Sequence, residues 1–249
     1  MPRFFITRDA VDTAAGTLAI RGADAHHIAR ALRLAVGDTV TVCDDGGTVY
    51  DCRLTRIRDD EAVCAILSGR TGTSESPLHI RLFMAYPKGD KFETVLQKAV
   101  ELGAARITPF ESERCIKRPP AEKQARMAER HQKIAEAAAK QCGRSVIPTV
   151  DTPLSFADAV RAAVAAELRL FCYEGAGTRS LRAVLEAHPA VSDVSVLIGA
   201  EGGFSPAEAQ AAVDAGCIAV GLGERILRCE TAPAYVLSAL SYAYELPTV

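Results

Sequence analysis

The sequence contains no run of about 18 uncharged apolar residues, the length a membrane-spanning helix requires, so no span is expected. No Cys-x-x-Cys occurs among the eight cysteines, at 43, 52, 64, 115, 142, 172, 217 and 229. That absence removes zinc ribbons and thioredoxin-like redox chemistry. Scattered and mostly within apolar stretches, the cysteines read as small buried hydrophobes of a reducing compartment. The five histidines are dispersed apart from His26-His27, so no metal ligand set is visible and none is expected. Gly-x-x-x-x-Gly-Lys-Ser/Thr is missing, which excludes a P-loop. The first residues, Met1–Asp9, lack the apolar stretch and small-residue cleavage site of a signal peptide, so a cytoplasmic location is expected.

Net charge is also scarce, at −2 over 249 residues, but it is unevenly placed. Residues 1–73 carry nine Lys and Arg against ten acids; residues 74–150 carry 14 against nine; residues 151–249 carry six against 12. A basic middle in an otherwise acidic chain suggests a polyanion footprint. Lys123, Arg126, Arg130, Lys133, Lys140 and Arg144 recur mostly at three- and four-residue steps, which places a basic stripe on a helix. Lys88, Lys91, Arg114, Lys117 and Arg118 extend the basic region. Such a stripe reads either as a solvated helix face or as a contact with a nucleic-acid backbone.

With 49% hydrophobic residues the chain can bury a proper core. The small polar stretch Ser68–Pro77 is the best linker candidate. It divides the chain into an N-terminal module, 1–73, and a main domain, 74–249. The module reads mostly as strands: a hairpin over 39–43 and 48–54 with a turn-forming Asp44-Asp45-Gly46-Gly47, then a strand over 61–67. One helix is expected over 24–34. Beyond the linker, strands at 78–86, 106–110, 167–173, 194–199 and 217–222 alternate with helices at 91–102, 120–142, 180–187, 206–215 and 231–244. This alternation predicts an α/β fold with a mainly parallel sheet, whose ligands sit at the C-terminal ends of strands.

Two glycine-bearing loops fall at such ends. Ile198-Gly199-Ala200-Glu201-Gly202-Gly203-Phe204-Ser205 follows an apolar strand, and Ser205, Pro206 and Glu208 form a helix-start signature. More glycines stand there than a strand-to-helix turn needs, which lets a ligand approach the backbone. Gly221–Ala232 spends seven residues between Gly223 and the last helix, and Ile226-Leu227 suits the lining of an apolar slot. A third stretch, Glu174-Gly175-Ala176-Gly177, is a weak match to a Rossmann nucleotide motif because it lacks a third glycine.

Taken with Pro2-Arg3-Phe4, His27, Arg30, Leu32-Arg33, Lys88-Gly89-Asp90-Lys91, Gln97-Lys98, Glu101-Leu102-Gly103, Ser112–Cys115 and Gln141–Arg144, the two loops carry a resemblance across the chain. It closely resembles the RsmE family of 16S ribosomal RNA (uracil-N3-)-methyltransferases, of the SPOUT superfamily. The resemblance implies transfer of a methyl group from S-adenosylmethionine to N3 of a specific uridine in small-subunit rRNA. It also implies a PUA-like RNA-binding β-barrel over 1–73, and a SPOUT domain over 74–249 with a C-terminal trefoil knot at about 196–235. The remaining implications are a homodimer and a partner, the 16S rRNA of the small ribosomal subunit. The sequence departs from the family at Ala200, where proline is usual, and at Cys229, where threonine is usual.

On this reading Glu201 is the base or a holder of the cofactor's amino group, and Arg225 or Arg228 stabilises charge on a uracil oxygen. Cofactor contacts are expected from Leu197, Gly199, Glu201, Gly203, Leu222, Gly223, Ile226, Leu227, Thr231 and Ala232. RNA contacts are expected from Arg3, His27, Arg30, Arg33, Lys88, Lys91, Arg114 and Arg144. Two alternatives stay open: a non-catalytic RNA-binding factor on the same fold, and a nucleotide enzyme using Glu174–Gly177.

Overall fold

The computed structural model describes residues 1–116 and 118–245. Contacts divide the chain into two compact units: residues 1–75 with 139–147, and residues 76–138 with 148–249.

The first unit is a six-stranded mixed sheet. Its strands are β1 (Arg3–Ile6), β2 (Val11–Asp12), β3 (Thr17–Arg21), β4 (Thr39–Asp44), β5 (Thr48–Ile57) and β6 (Glu61–Thr71). They run in the order β1-β4-β5-β6-β3-β2, with β1 parallel to β4 and the other pairs antiparallel. Alternating residues bury Phe4, Leu18, Ile20, Val40, Val42 and Leu54 in one core. The β4–β5 turn forms where the sequence places it. Asp44 is fully buried and accepts from Gly46 N–H, Thr48 N–H and the Tyr50 hydroxyl at 2.9–3.0 Å. Burial opposes its ionisation, but these donors outweigh it and hold the carboxyl below its ordinary range.

Two expectations fail here. The helix over 24–34 is α-helical only as α1 (Ala23–His26) and then widens to a π-type turn, His27–Ala31. Leu32 N–H reaches His27 C=O at 2.9 Å and Leu34 N–H reaches Ile28 C=O at 3.1 Å. Closing that wide loop forces Arg33 into the left-handed region at φ 51°. The stretch 68–77 is not all linker either, because β6 continues through Thr71. A register shift at Asp51/Cys52 lets Ser68–Thr71 pair with Thr48–Asp51, and Arg70 seals the extension by an ion pair to Asp51 at 2.6 Å.

The second unit is a parallel sheet with helices. Its central strands are β7 (His79–Ala85), β8 (Ala104–Glu111), β11 (Leu168–Cys172), β13 (Asp193–Ile198) and β14 (Ile218–Gly221); β9 (Thr149–Val150), β10 (Leu154–Ser155) and β12 (Arg179–Ser180) are short. The order is β10-β8-β7-β13-β11-β14-β12, with β9 beside β8, and every pair is parallel. β13 is buried throughout Val194–Ile198, as a central parallel strand requires. The helices are α2 (Lys91–Glu101), α3 (Ala121–Cys142), α4 (Phe156–Ala163), α5 (Leu181–Ala187), α6 (Pro206–Asp214) and α7 (Thr231–Tyr244). α2 buries Phe92, Val95, Leu96, Ala99 and Val100 at helical spacing and stops at Gly103, whose φ of 87° suits the left-handed cap. The short α4 was not foreseen; eight residues give too little periodic signal.

All eight cysteines are free; six are buried, Cys172 is half-buried and Cys142 is exposed. Among the described residues no helix is long and apolar enough to cross a membrane, and no group of three His, Cys, Asp or Glu is arranged for a metal ion.

Candidate active site

In a parallel sheet every strand delivers its following loop to the same edge. β13 lies between β7 and β11, and β14 lies beyond β11. The loops after β7, β13 and β14 therefore converge, and they carry Lys88, Glu201 and Arg225–Glu230 respectively.

The loop after β13 is held from inside. Phe204 is 3% exposed, with its ring 4.4 Å from Phe171 and stacked parallel to Phe110 at 6.2 Å. Gly199 passes so close to the same loop that a Cβ there would meet Gly203 Cα at 3.1 Å. Ser205 and Glu208 form the expected capping box of α6. Glu208 also accepts from Glu113 N–H at 2.8 Å, and Arg114 donates to Gly202 C=O at 3.1 Å, which ties in the loop after β8. Ala200 is buried at 7% exposure.

Glu201 is the electrostatic centre. Its carboxylate accepts from Lys88 N–H at 3.1 and 3.2 Å and from Lys91 Nζ at 2.9 Å. Lys91 Nζ also lies 3.4 Å from Glu230 Oε2, to which the Cys229 thiol donates at 3.2 Å. Burial opposes ionisation of Glu201, yet the lysine hydrogen bonds hold its carboxyl below the usual range. Glu230 is lowered chiefly by the Cys229 hydrogen bond. Lys91 is raised, first by its bond to Glu201. The Cys229 thiol is pushed up to about 12 by burial, reinforced by Glu230 and Glu201, so it stays protonated and remains a donor.

The loop after β14 is open by contrast. Gly223 has φ 110° with open space where a side chain would stand, and Gly203, at φ 61°, is similarly open. Ile226 is 81% exposed, and Leu222 and Leu227 are half-buried. Arg225 and Arg228 are exposed and make no side-chain hydrogen bond or ion pair with the described residues. Arg228 C=O accepts from Thr231 and Ala232 N–H at 2.8 and 3.0 Å, starting α7. Leu197 is wholly buried within β13, so only its backbone can serve a ligand.

The sequence matches the family model of an RNA methyltransferase domain over residues 74–241 and that of an RNA methyltransferase PUA domain over 20–67. The chain is 32% identical over 252 aligned residues to ribosomal RNA small subunit methyltransferase E of Bacillus subtilis, covering 99% of this chain and 98% of that one. The chain belongs to the ribosomal RNA small subunit methyltransferase E family. A family structure from Neisseria gonorrhoeae bound to S-adenosyl methionine superposes with TM-score 0.84 at 31% identity, covering 98% of each chain. A putative methyltransferase from Legionella pneumophila in complex with the same cofactor gives 0.86 at 31% identity, covering 97% of each.

The basic residues linked to RNA by resemblance to this methyltransferase E family fall into two groups. Arg144 is 5% exposed and ion-paired with Glu75 at 2.6 Å; Arg3 donates to Arg144 C=O and Cys43 Sγ, both at 3.1 Å; Arg30 is paired with Asp59 at 2.9 Å. His27, Arg33, Lys88 and Arg114 present exposed side chains. In the second unit Arg126, Arg130 and Lys133 of α3 line an open cavity of about 470 Å³ with Gln97 of α2. Arg130 is paired there with Glu93 at 2.8 Å. Lys117 lies outside the described residues. Glu174–Gly177 follows β11, and a side chain at Gly175 would strike the Tyr173 ring, which gives that glycine a packing reason. Sequence reasoning missed Glu230 as a partner of Lys91, because two residues 139 apart in the chain leave no local signal.

Proposed function

We propose that the chain methylates N3 of a uridine in 16S rRNA of the small ribosomal subunit, using S-adenosylmethionine bound by the loops after β13 and β14. The observation that carries this reading is that the loops holding Glu201 and Glu230 meet at Lys91, and each leaves its backbone open at a glycine, Gly203 in one and Gly223 in the other. Those features fit a cationic sulfonium ligand with an adenosine part. Carboxylates attract its charge, and half-buried Leu222 and Leu227, with Ile226, offer an apolar wall for the base. Backbone groups of Gly199, Leu222, Ile226 and Leu227 are assigned to adenine and ribose, with Leu197, Thr231 and Ala232 at the pocket's edge.

The cofactor supplies an activated methyl group when bound. The protein must align that group with N3 and favour the form of uracil that has lost its N3 proton; alignment alone is worth roughly 7–11 kcal/mol at best. Glu201 is committed to Lys88 and Lys91, and its lowered carboxyl is a weak base, so it is assigned to holding the cofactor rather than to accepting the N3 proton. Arg225 and Arg228 stand free to stabilise negative charge on a uracil oxygen.

The knotted chain path at about 196–235, the homodimer and the cytoplasmic setting belong to the same proposal. α7 supports the dimer: Tyr235 and Tyr242, seven residues apart and so on one face, are 46% and 77% exposed. Phosphate contacts are assigned to His27 and Arg33 of the PUA-like unit, and to Lys88, Arg114, Arg126 and Lys133 of the second.

The test is calorimetry with S-adenosylmethionine, followed by mapping the methylated uridine missing from rRNA of a deletion strain. Saturable cofactor binding and one lost N3-methyl signal are expected. No cofactor binding, or an unchanged rRNA methylation map, overturns the reading.

A further inference from the structure

Three side chains at the sheet edge form a bridge that neither loop makes alone. Lys91 opens α2, Glu201 belongs to the loop after β13, and Glu230 ends the loop after β14. Lys91 Nζ reaches Glu201 at 2.9 Å and Glu230 at 3.4 Å. Its side chain is one-third exposed and its ammonium already has two anionic partners, which leaves little of it for a third. Lys88 N–H and the Cys229 thiol hold the two carboxylates from the other side. We propose that Lys91 is a positioning residue that ties the two cofactor loops together, rather than a contact to RNA phosphate.

This inference rests on reading those loops as the cofactor pocket. The physical case is a charge count. Without Lys91, two carboxylates that now share one ammonium would stand close together with no cation between them and push the loops apart. With it, the trio carries one net negative charge. That matches the single net positive charge of an amino acid bearing a sulfonium. Cys229 fits the same frame: standing where the family usually has threonine, it still donates to Glu230.

The test uses the full chain with Lys91→Ala, Lys91→Arg, Glu230→Gln and the Lys91→Ala/Glu230→Gln double variant. Three quantities are read: S-adenosylmethionine affinity, small-subunit affinity with its salt dependence, and hydrogen exchange of 199–204 and 228–232. Lys91→Ala is expected to weaken cofactor binding about tenfold and speed exchange in both loops, with subunit affinity and salt slope unchanged. Lys91→Arg restores binding. Glu230→Gln in the Lys91→Ala background recovers part of the loss, because it removes one of the repelling carboxylates. The proposal is overturned if Lys91→Ala lowers subunit affinity and salt slope while cofactor affinity and loop exchange stay put, or if the two substitutions act additively. Should the wild-type chain bind no cofactor, the functional reading fails, and loop exchange still decides the bridge.

Discussion

Arg33 shows how much a single residue can hold. It is exposed, it makes no side-chain bond with the described residues, and it sits at φ 51°, where glycine is the comfortable choice. An L-residue there costs about 1 kcal/mol. A strained cation on an open surface suits a residue kept for its charge. Arg33→Gly is therefore expected to raise the melting temperature by about 2–4 °C. The same change should reduce the slope of log affinity for the small subunit against log salt by about 1. Thermal melts and salt titrations check both, and unchanged RNA affinity would remove Arg33 from the RNA face. Cys229 makes a second case. Cys229→Thr replaces a thiol donor by a hydroxyl and is expected to leave cofactor affinity intact. Cys229→Ala deletes the donor to Glu230 and is expected to weaken that affinity measurably in calorimetry.

At the scale of elements, the loop after β13 is a rigid unit clamped at both ends. Phe204 anchors it among Phe110, Phe156 and Phe171. Phe204→Ala is expected to cost about 3–5 kcal/mol in denaturant unfolding, since the ring leaves a cavity that its neighbours cannot close. Ser205→Ala removes one cap of α6 and is expected to cost about 1 kcal/mol. If Phe204→Ala costs no more than Ser205→Ala, the aromatic cluster is not the anchor. The Lys91 bridge sets a pH window for loop order. Glu201 and Glu230 are depressed, so their contribution is complete above the ordinary carboxylate range and is lost as pH falls through their lowered values. Lys91 is raised, so its contribution is complete below the ordinary lysine range and is lost as pH rises through its raised value. Cofactor affinity is expected to be flat between roughly pH 5 and 10 as far as these groups govern it, and to fall outside that window.

For the whole molecule, the expected outcome is a dimer that uses the exposed face of α7. Replacing Tyr235 and Tyr242 together by Glu puts charge into that face, and sedimentation should then report a monomer. A wild-type chain that already sediments as a monomer at micromolar concentration would rule the dimer out.

Much of the fold was legible locally. Gly103 marked the end of α2, Ser205-Pro206 with Glu208 marked the start of α6, and the apolar run Val194–Ile198 marked a buried strand. These signals depend on backbone preferences and periodicity within a few residues, which a sequence displays directly. Glu201 and the glycines of both loops stood out for the same reason. The partners did not. Lys91 looked like one more member of a basic region, Arg144 like an RNA contact, and Ser68–Thr71 like linker. Only the parallel order β7-β13-β11-β14 brings Lys91 to Glu201 and Glu230, and only the folded first unit buries Arg144 against Glu75. The sequence by itself determined the elements, the two loops and the family resemblance. The tertiary structure decided which charges are spent inside the protein and which remain for a ligand, because an ion pair is a matter of distance in space and not of spacing along the chain.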